Sequence, residues 1–226
     1  MAVLISDTEK FLRSELARLS AKLDDMPAKV TRAEPFRNLI PNGSFGTGIT
    51  GWEAFGGASL SYVSGVMRIS GGATNITQGA RMYPNAIIGR RYLFKSDLVT
   101  ANTNSRYLRA GGEFLNNSAN YIEGTNVLPF TCENTPPTIS ASVYTTSNQI
   151  EVDNFYLWEA DPEDDLPWLR LPFGHTVGKQ GRVYRDGGYL MSDEYEEKTI
   201  AGQSFIKPIV APGVNTEFDV YCGIGA

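Results

Sequence analysis

One strand-like segment carries side chains that could bind a ligand. In residues 106–115, a period of two places Leu108, Ala110 and Phe114 on one face and Tyr107, Arg109 and Glu113 on the other. An aromatic ring can pack against the C–H face of a pyranose, while charged side chains can make paired hydrogen bonds to its hydroxyls. We therefore predict that Tyr107, Arg109 and Glu113 contact a carbohydrate. Two tyrosines from other segments, Tyr121 and Tyr144, are predicted to lie beside them and to contact the same ligand. The competing interpretation is an ordinary solvated face of an antiparallel sheet.

Residues that commonly catalyse reactions are scarce. The only histidine is His175, and the chain contains no Gly-x-Ser-x-Gly elbow, P-loop or dinucleotide-binding glycine motif. Metal-binding spacing of cysteine and histidine is also absent, and we expect Cys132 and Cys222 to be buried thiols, with a disulfide as the alternative. The sequence therefore predicts a protein that is not an enzyme and that holds no metal and no cofactor.

An acidic run is the remaining candidate for chemistry. It consists of Glu159, Asp161, Glu163, Asp164 and Asp165. Such carboxylates could form a hydrolase pair or a calcium site, but most runs of this kind are solvated linkers. We interpret this one as a linker.

Composition favours short strands joined by turns. The 226 residues include 11% aromatic and only 20% charged residues, which excludes a helical bundle. The net charge of -5 argues against nucleic acid as a partner, because phosphate binding needs a concentrated basic patch. The start lacks the features of a secretory signal, and no run of about eighteen apolar residues predicts membrane insertion.

The N-terminal segment has the pattern of a short coiled coil. A capping box at Ser6–Glu9 begins a helix that Pro27 ends. With Glu9 as the one polar interruption, apolar residues recur at alternating steps of three and four: Ile5, Leu12, Leu16, Leu19, Leu23 and Met26. We predict a homo-oligomer, with a trimer favoured by analogy to viral fibre proteins. The alternative is an amphipathic helix that lies on its own domain.

From Phe36 onward the sequence has the period of two that is typical of β-strands, and we divide this part of the chain into two units. We predict an N-terminal helix and linker over 1–35, a two-sheet sandwich over 36–160, and a small β-rich unit over 161–226. Asp186-Gly187-Gly188 is typical of a hairpin turn in the last of these units. Because about sixty residues form a marginal core, we expect this unit to pack on the sandwich or on copies of itself.

Two motifs about a hundred residues apart frame the sandwich. The first is Asn38-Leu39-Ile40-Pro41-Asn42-Gly43-Ser44-Phe45, followed by Gly51-Trp52. The second is Ile150-Glu151-Val152-Asp153-Asn154-Phe155-Tyr156-Leu157, near Asp161-Pro162. This frame resembles the jelly-roll carbohydrate-binding modules. The resemblance implies a mainly β jelly roll with a binding surface and no chemistry of its own. Such modules often carry a structural calcium, but here Gly46 occupies the position of one acidic ligand, and only Asp153 matches.

These expectations lead to a functional hypothesis. The chain is similar to bacteriophage head fibres, tail fibres or decorations, in which an oligomer displays a weak binding module. We expect a non-enzymatic virion protein, made in the host cytoplasm, whose partners are other virion proteins and host cell-surface glycans. Two alternatives remain: a carbohydrate-binding module of a secreted polysaccharide-degrading system, and a purely architectural capsid decoration.

Overall fold

The computed structural model describes residues 12–18, 29–32, 36–111, 117–133, 136–171 and 182–224, with only the backbone described for 29–32, 117–120 and 222–224. Residues 12–18 are helical, and most of the remaining described residues form strands and turns. The strands are β1 (Lys29–Arg32), β2 (Phe36–Arg37), β3 (Glu53–Phe55), β4 (Ser59–Val63), β5 (Val66–Ser70), β6 (Gln78–Met82), β7 (Arg91–Ala101), β8 (Arg106–Ala110), β9 (Asn117–Asn120), β10 (Gly124–Thr131), β11 (Ile139–Val143), β12 (Gln149–Glu159), β13 (Leu169–Arg170), β14 (Arg182–Arg185), β15 (Gly188–Tyr189), β16 (Tyr195–Ile200), β17 (Gln203–Pro208) and β18 (Glu217–Ile224).

Two antiparallel sheets of five strands form a β-sandwich. The front sheet has the strand order β3-β6-β11-β8-β9, and the back sheet has the order β10-β7-β12-β5-β4. Alternate residues point inward, so that Ile139 and Ala141 of the front sheet share one core with Ile150 and Val152 of the back sheet. All four side chains are completely buried. The predicted fold class, a mainly β jelly-roll sandwich with an N-terminal helix, is confirmed.

The two framing motifs lie side by side and close the sandwich. The Asn38 side-chain amide donates to the carbonyl of Phe155 at 2.8 Å, and the Phe155 amide donates to the carbonyl of Gly43 at 2.8 Å. A side chain at Gly43 would collide with the Phe155 carbonyl. The Phe155 ring packs on Phe45 and Trp52, with centroid distances of 5.7 and 4.5 Å. The motifs therefore act as a structural clasp, and Trp52 is a core residue.

A bulge lets both halves of β12 contribute to the core. The register with β7 shifts between Asp153 and Tyr156, and Asn154 has a φ of 52°, in the left-handed region. Without the bulge, strict alternation would place Val152 and Phe155 on opposite faces. Both are instead completely buried in the sandwich core. In the second half of β12, Tyr156 and Trp158 then point to the outer face of the back sheet.

That outer face is covered by the C-terminal unit. A C-terminal sheet has the order β1-β18-β14-β15 with β2 also on β18, and a small sheet has the order β13-β17-β16. Trp158 of β12 meets Phe218 of β18 edge-on at 5.8 Å. The second core consists of Leu93, Tyr156, Trp158, Ala160, Leu169, Leu171, Val183, Ile206, Phe218 and Val220. The C-terminal unit thus packs on the sandwich, which is one of the two arrangements that its small size predicts.

The predicted linker contains a strand. Residues 29–32 form β1, which pairs antiparallel with β18 from Lys29↔Ile224 to Arg32↔Tyr221. Shortly after it, Phe36 of β2 pairs with Phe218. The interpretation of this segment as a linker throughout is wrong, because backbone hydrogen bonds to the C-terminal strand hold it. The C-terminal sheet is therefore completed by residues that precede the sandwich in sequence.

The acidic run forms a network of ion pairs, so the solvated-linker interpretation is wrong. The Asp161 carboxylate is completely buried and lies 3.0 Å from Nζ of both Lys198 and Lys207. The remaining acids pair as follows: Glu159 with Arg90 and Arg170, Glu163 with Lys198, Asp164 with Lys207, and Asp165 with Arg91. The described residues contain no group of three or more His, Cys, Asp or Glu side chains that could hold a metal ion. The run joins the sandwich to the small sheet.

The described part of the N-terminal helix exposes its leucines. Leu12 is 61% exposed and Leu16 is 70% exposed, one turn apart on the same side. The other apolar residues of the predicted seam lie outside the described residues: Ile5, Leu19, Leu23 and Met26. Self-association therefore stays a prediction. Over the residues that are described, no helix is long and apolar enough to span a membrane.

Of the two cysteines, Cys132 is buried in the sandwich core. The side chain of Cys222 lies outside the described part of the chain, as does His175. The redox state of the cysteines stays a prediction.

Candidate functional site

The outer face of the front sheet carries polar side chains on three neighbouring strands. Ser140 of β11 lies opposite Arg81 of β6 on one side and opposite Arg109 of β8 on the other. In the next outward-facing register, Ser142 of β11 lies opposite Tyr107 of β8. Their sequence neighbours point into the core, so these side chains point away from it. We call this region the front surface and define it by Arg81, Tyr83, Tyr107, Arg109, Ser140, Ser142 and Tyr144.

Two arginine–tyrosine pairs flank the central strand. The guanidinium carbon of Arg81 lies 5.4 Å from the Tyr83 ring centroid, and that of Arg109 lies 5.1 Å from the Tyr107 ring centroid. Cation–π contacts of this kind orient both the guanidinium and the ring. The front surface therefore presents aromatic rings and guanidinium groups in fixed proximity on both sides of β11. A sugar could pack on such rings, and its hydroxyl oxygens could accept hydrogen bonds from such guanidinium groups.

The two serines of β11 lie between these arginine–tyrosine pairs, closer to the sheet backbone. Ser140 and Ser142 are both completely buried, because the longer side chains on the adjacent strands shield them. Adjacent strands are about 4.8 Å apart, so the two arginines arise from backbones separated by about 10 Å. The arrangement places short hydroxyl side chains in the centre and long cationic and aromatic side chains at the sides.

Three buried polar atoms in a single cross-strand row lack a hydrogen-bond partner. They are Nε of Arg81, Oγ of Ser140 and Nε of Arg109, and they make up three of the seven such side-chain atoms among the described residues. A buried donor or acceptor without a partner costs about 1–3 kcal/mol, so proteins rarely leave one unsatisfied. Three such atoms lie in this one row, and we therefore take the row as the centre of the candidate site.

Two predicted contact residues lie on the front surface, and a third extends it. Tyr107 and Arg109 share the outer face as the alternation predicts, and Tyr144, which is 42% exposed, follows Ser142 by two residues on the same face. Glu113 lies outside the described residues. Whether any of these residues contacts a sugar stays a prediction.

The prediction for Tyr121 is wrong. Its ring is only 1% exposed and belongs to the sandwich core, where its hydroxyl forms a hydrogen bond with Ser96. Burial raises the pKa of Tyr121 well above its usual value. The register explains the error, because Asn120 lies opposite Tyr107 and the next residue must therefore point the other way. Tyr121 cannot reach the front surface.

Sequence reasoning missed the β6 side of the site. Arg81 and Tyr83 follow the core residues Ala80 and Met82 in strict alternation, so the run from Gln78 to Tyr83 contained a usable signal. What the sequence did not show was that β6 lies next to β11. Strand order in a sheet depends on long-range pairing, which a local pattern does not specify.

A second concave feature lies at the junction of the sandwich and the C-terminal unit. It is a cavity of about 290 Å³ whose lining includes Trp158, Trp168, Tyr92, Arg90 and Arg170. The indole nitrogens of both tryptophans are buried without a hydrogen-bond partner. The two arginines are already paired with Glu159. This junction cavity is the other place among the described residues where unpartnered donors cluster.

Sheet order and pairing define the class of the fold as an antiparallel β-sandwich whose back sheet is covered by the C-terminal unit. No family model and no curated protein matches the chain. A mutant of the family 29 carbohydrate-binding module CBM29-2 aligns at 15% identity with a TM-score of 0.35, over 57% of this chain and 91% of that chain. The C-terminal family 22 carbohydrate-binding module of Clostridium thermocellum Xyn10B aligns at 14% identity with a TM-score of 0.36, over 52% and 94%.

A third solved structure has a different context. The enzymatically active domain of bacteriophage CBA120 tailspike protein 4 aligns at 15% identity with a TM-score of 0.36, over 53% of this chain but 21% of that chain. With identities and scores this low, the fold assignment rests on the chain's own sheet topology.

Proposed function

We propose that this protein binds a carbohydrate on the front surface and does not transform it. The observation that carries the proposal is the row of buried atoms without partners, Arg81 Nε, Ser140 Oγ and Arg109 Nε, placed between two aromatic side chains. Sugars combine C–H faces that pack on aromatic rings with closely spaced oxygens that accept hydrogen bonds. The front surface supplies the complementary groups for both. The nucleophile–base pair that catalysis would require is not part of this surface.

Replacing Tyr107 by alanine is expected to weaken glycan binding about tenfold, because the ring supplies apolar contact and also orients Arg109. The thermal midpoint is expected to stay nearly unchanged, because the ring lies on the outer face and is only partly buried. A glycan array would identify the best ligand, and isothermal titration calorimetry would then compare the variant with the wild type.

The matched control for this experiment is Tyr62→Ala, which removes a tyrosine that is 48% exposed on the edge strand β4 of the back sheet. We expect it to bind like the wild type. Equal loss of affinity in both variants, or an unchanged affinity in the Tyr107 variant, would contradict the proposed site. A large fall in thermal midpoint for Tyr107→Ala would instead indicate a structural role.

We propose further that several copies of the chain act together through the N-terminal helix, with a trimer favoured. The support is the exposed pair Leu12 and Leu16, which would be covered by the same residues of neighbouring copies. A single shallow sugar site binds weakly, whereas linked copies raise the local concentration of sites and can increase avidity by about 10²–10⁴.

Replacing Leu16 by aspartate is expected to convert the oligomer to a monomer, because it places a charge in the apolar seam. Sedimentation equilibrium should give about three times the chain mass of 24.8 kDa for the wild type and one chain mass for the variant. Ala17→Asp is the control, since Ala17 is exposed and faces away from the seam. A monomeric wild type would remove the support for multivalent display.

We propose that this display takes place on a bacteriophage particle, where the chain would be a head fibre, tail fibre or decoration component with other virion proteins and host-surface glycans as partners. The proposal rests on the combination of an exposed helical leucine pair with a front surface suited to glycans. Mass spectrometry of purified particles and antibody labelling in electron micrographs would test it. Absence of the chain from particles would favour a secreted carbohydrate-binding protein.

A further inference from the structure

We infer that the glycan bound by the front surface is acidic, with a sugar carboxylate held between Arg81 and Arg109. This inference rests on the proposed carbohydrate function and adds the chemical class of the ligand. The two guanidinium groups flank Ser140 in one cross-strand row, from backbones about 10 Å apart. A guanidinium presents a planar fork of donors that matches the two oxygens of a carboxylate.

Most other partly buried arginines of the sandwich and its junction pair with carboxylates, and Arg106 donates to the backbone carbonyls of Tyr121 and Thr103. Arg68 lies 2.6 Å from Glu151, Arg90 lies 3.0 Å from Glu159, and Arg91 lies 2.6 Å from Asp165. Each of these three arginines therefore already has a carboxylate as its ion-pair partner. A cation with such a partner has little capacity left for a ligand.

The two front-surface arginines differ from them. Within the described residues Arg109 has no acidic partner, and its Nε is buried without any hydrogen bond. Arg81 has only a loose one, since its Nε lies 3.5 Å from Oε2 of Glu53, whose side chain is 59% exposed, and that contact is not a hydrogen bond. A buried donor on a cation is better satisfied by an anion than by a neutral hydroxyl, because charge-assisted hydrogen bonds are about twice as strong.

The net negative charge of the chain contrasts with the positive charge of the two arginines on the front surface. The chain carries a net charge of -5, so an anionic polymer would be repelled by the protein as a whole. Binding of such a polymer therefore requires a local cationic site rather than general attraction. Ser140 lies buried between the two arginines, so they are the groups of this row that a ligand would meet first.

The test compares polymers that differ only in charge. Polygalacturonate and its methyl ester share one backbone, and dextran sulfate and dextran provide a second charged and neutral pair. Calorimetry on the full chain is expected to show affinity for polygalacturonate about tenfold or more above that for its methyl ester, because only the acid can make charge-assisted hydrogen bonds to the two arginines. Dextran sulfate is expected to bind more weakly than polygalacturonate.

Substitutions of the two arginines test whether they hold the carboxylate. Arg81→Gln and Arg109→Gln are each expected to reduce polygalacturonate affinity about tenfold while the methyl ester is affected little. Arg109→Lys should recover only part of the loss, since it keeps the charge but not the fork. The control is Arg182→Gln, an exposed arginine of the C-terminal sheet, which should bind like the wild type. Unchanged thermal midpoints in all variants would show that the fold is intact.

The outcomes separate this inference from the proposed function. Equal affinity for the ester and the acid, reduced by Tyr107→Ala, would overturn the acidic ligand and leave carbohydrate binding in place. Acid binding that the arginine variants leave intact would also overturn the inference. Binding of dextran sulfate as tightly as polygalacturonate would show unspecific charge attraction only. Failure to bind any charged or neutral polysaccharide would overturn both the inference and the proposed function.

Discussion

Replacing Phe155 by alanine is expected to lower the free energy of unfolding by about 3–5 kcal/mol. The ring is completely buried and meets Trp52, Phe45 and Phe94 at centroid distances of 4.5, 5.7 and 5.8 Å. Its removal would leave a cavity where the opening motif and the closing strand join. Urea denaturation followed by tryptophan fluorescence would measure the loss as a lower midpoint at nearly constant slope.

Tyr62→Ala serves as the control again. Its side chain is about half exposed, so a change within about 0.5 kcal/mol is expected. A loss below about 1 kcal/mol for Phe155→Ala would contradict the clasp, because it would mean that the motifs are not held together by this ring.

Replacing Asp161 by asparagine is expected to cost about 2 kcal/mol near neutral pH, because the lysines lose their shared buried anion while Lys198 keeps Glu163 and Lys207 keeps Asp164. Burial alone would raise the pKa of Asp161, but the hydrogen bonds from the Glu163 amide, Lys198 and Lys207 outweigh it and lower the pKa to about 2. An aspartate with a lowered folded-state pKa stabilises the fold above its ordinary value near 4. That contribution, about 2 kcal/mol, is lost as the pH falls from about 4 to about 2.

The stability difference between wild type and Asp161→Asn should therefore shrink in that acidic range. Urea denaturation at a series of pH values would measure it. The control is Asp193→Asn, at an exposed aspartate whose replacement should leave the free energy of unfolding nearly unchanged. A pH-independent difference between wild type and Asp161→Asn would show that the carboxylate is not held as an anion by its lysines.

The sandwich could be predicted because its signals are local. The framing motifs and the alternation in segments such as Arg106–Ala110 depend on a period of two, and the structure places Leu108 inward and Tyr107 outward accordingly. The prediction for Tyr121 is wrong because alternation counted along one strand does not give the facing of a residue on another strand. Only the register between β8 and β9 gives that facing.

The remaining errors concern partners that are distant in sequence. The acidic run has the local pattern of a linker because its cations, such as Lys198 and Lys207, come from strands about forty residues later. The strand Lys29–Arg32 was missed because it has no neighbour until β18 arrives at the end of the chain. Arg81 was overlooked as a site residue for the same reason, since its position beside Ser140 depends on the pairing of β6 with β11.

The geometry of the back sheet supports the choice of the front surface. The C-terminal unit covers the outer face of the back sheet with Phe218 and its neighbours, whereas the outer face of the front sheet keeps tyrosines such as Tyr83 and Tyr144 at 40% and 42% exposure. The unpartnered polar row lies on that same face. Stability and binding are thus assigned to opposite sides of the sandwich.

The most direct test of carbohydrate binding on the front surface is amide chemical-shift mapping of the full chain during titration with its best-binding glycan. We expect the largest shifts on the three strands that carry Arg81, Arg109 and Ser140. Shifts concentrated around Trp158 and Trp168 would move the site to the junction cavity and contradict the account. The absence of saturable shifts with any glycan would contradict it as well.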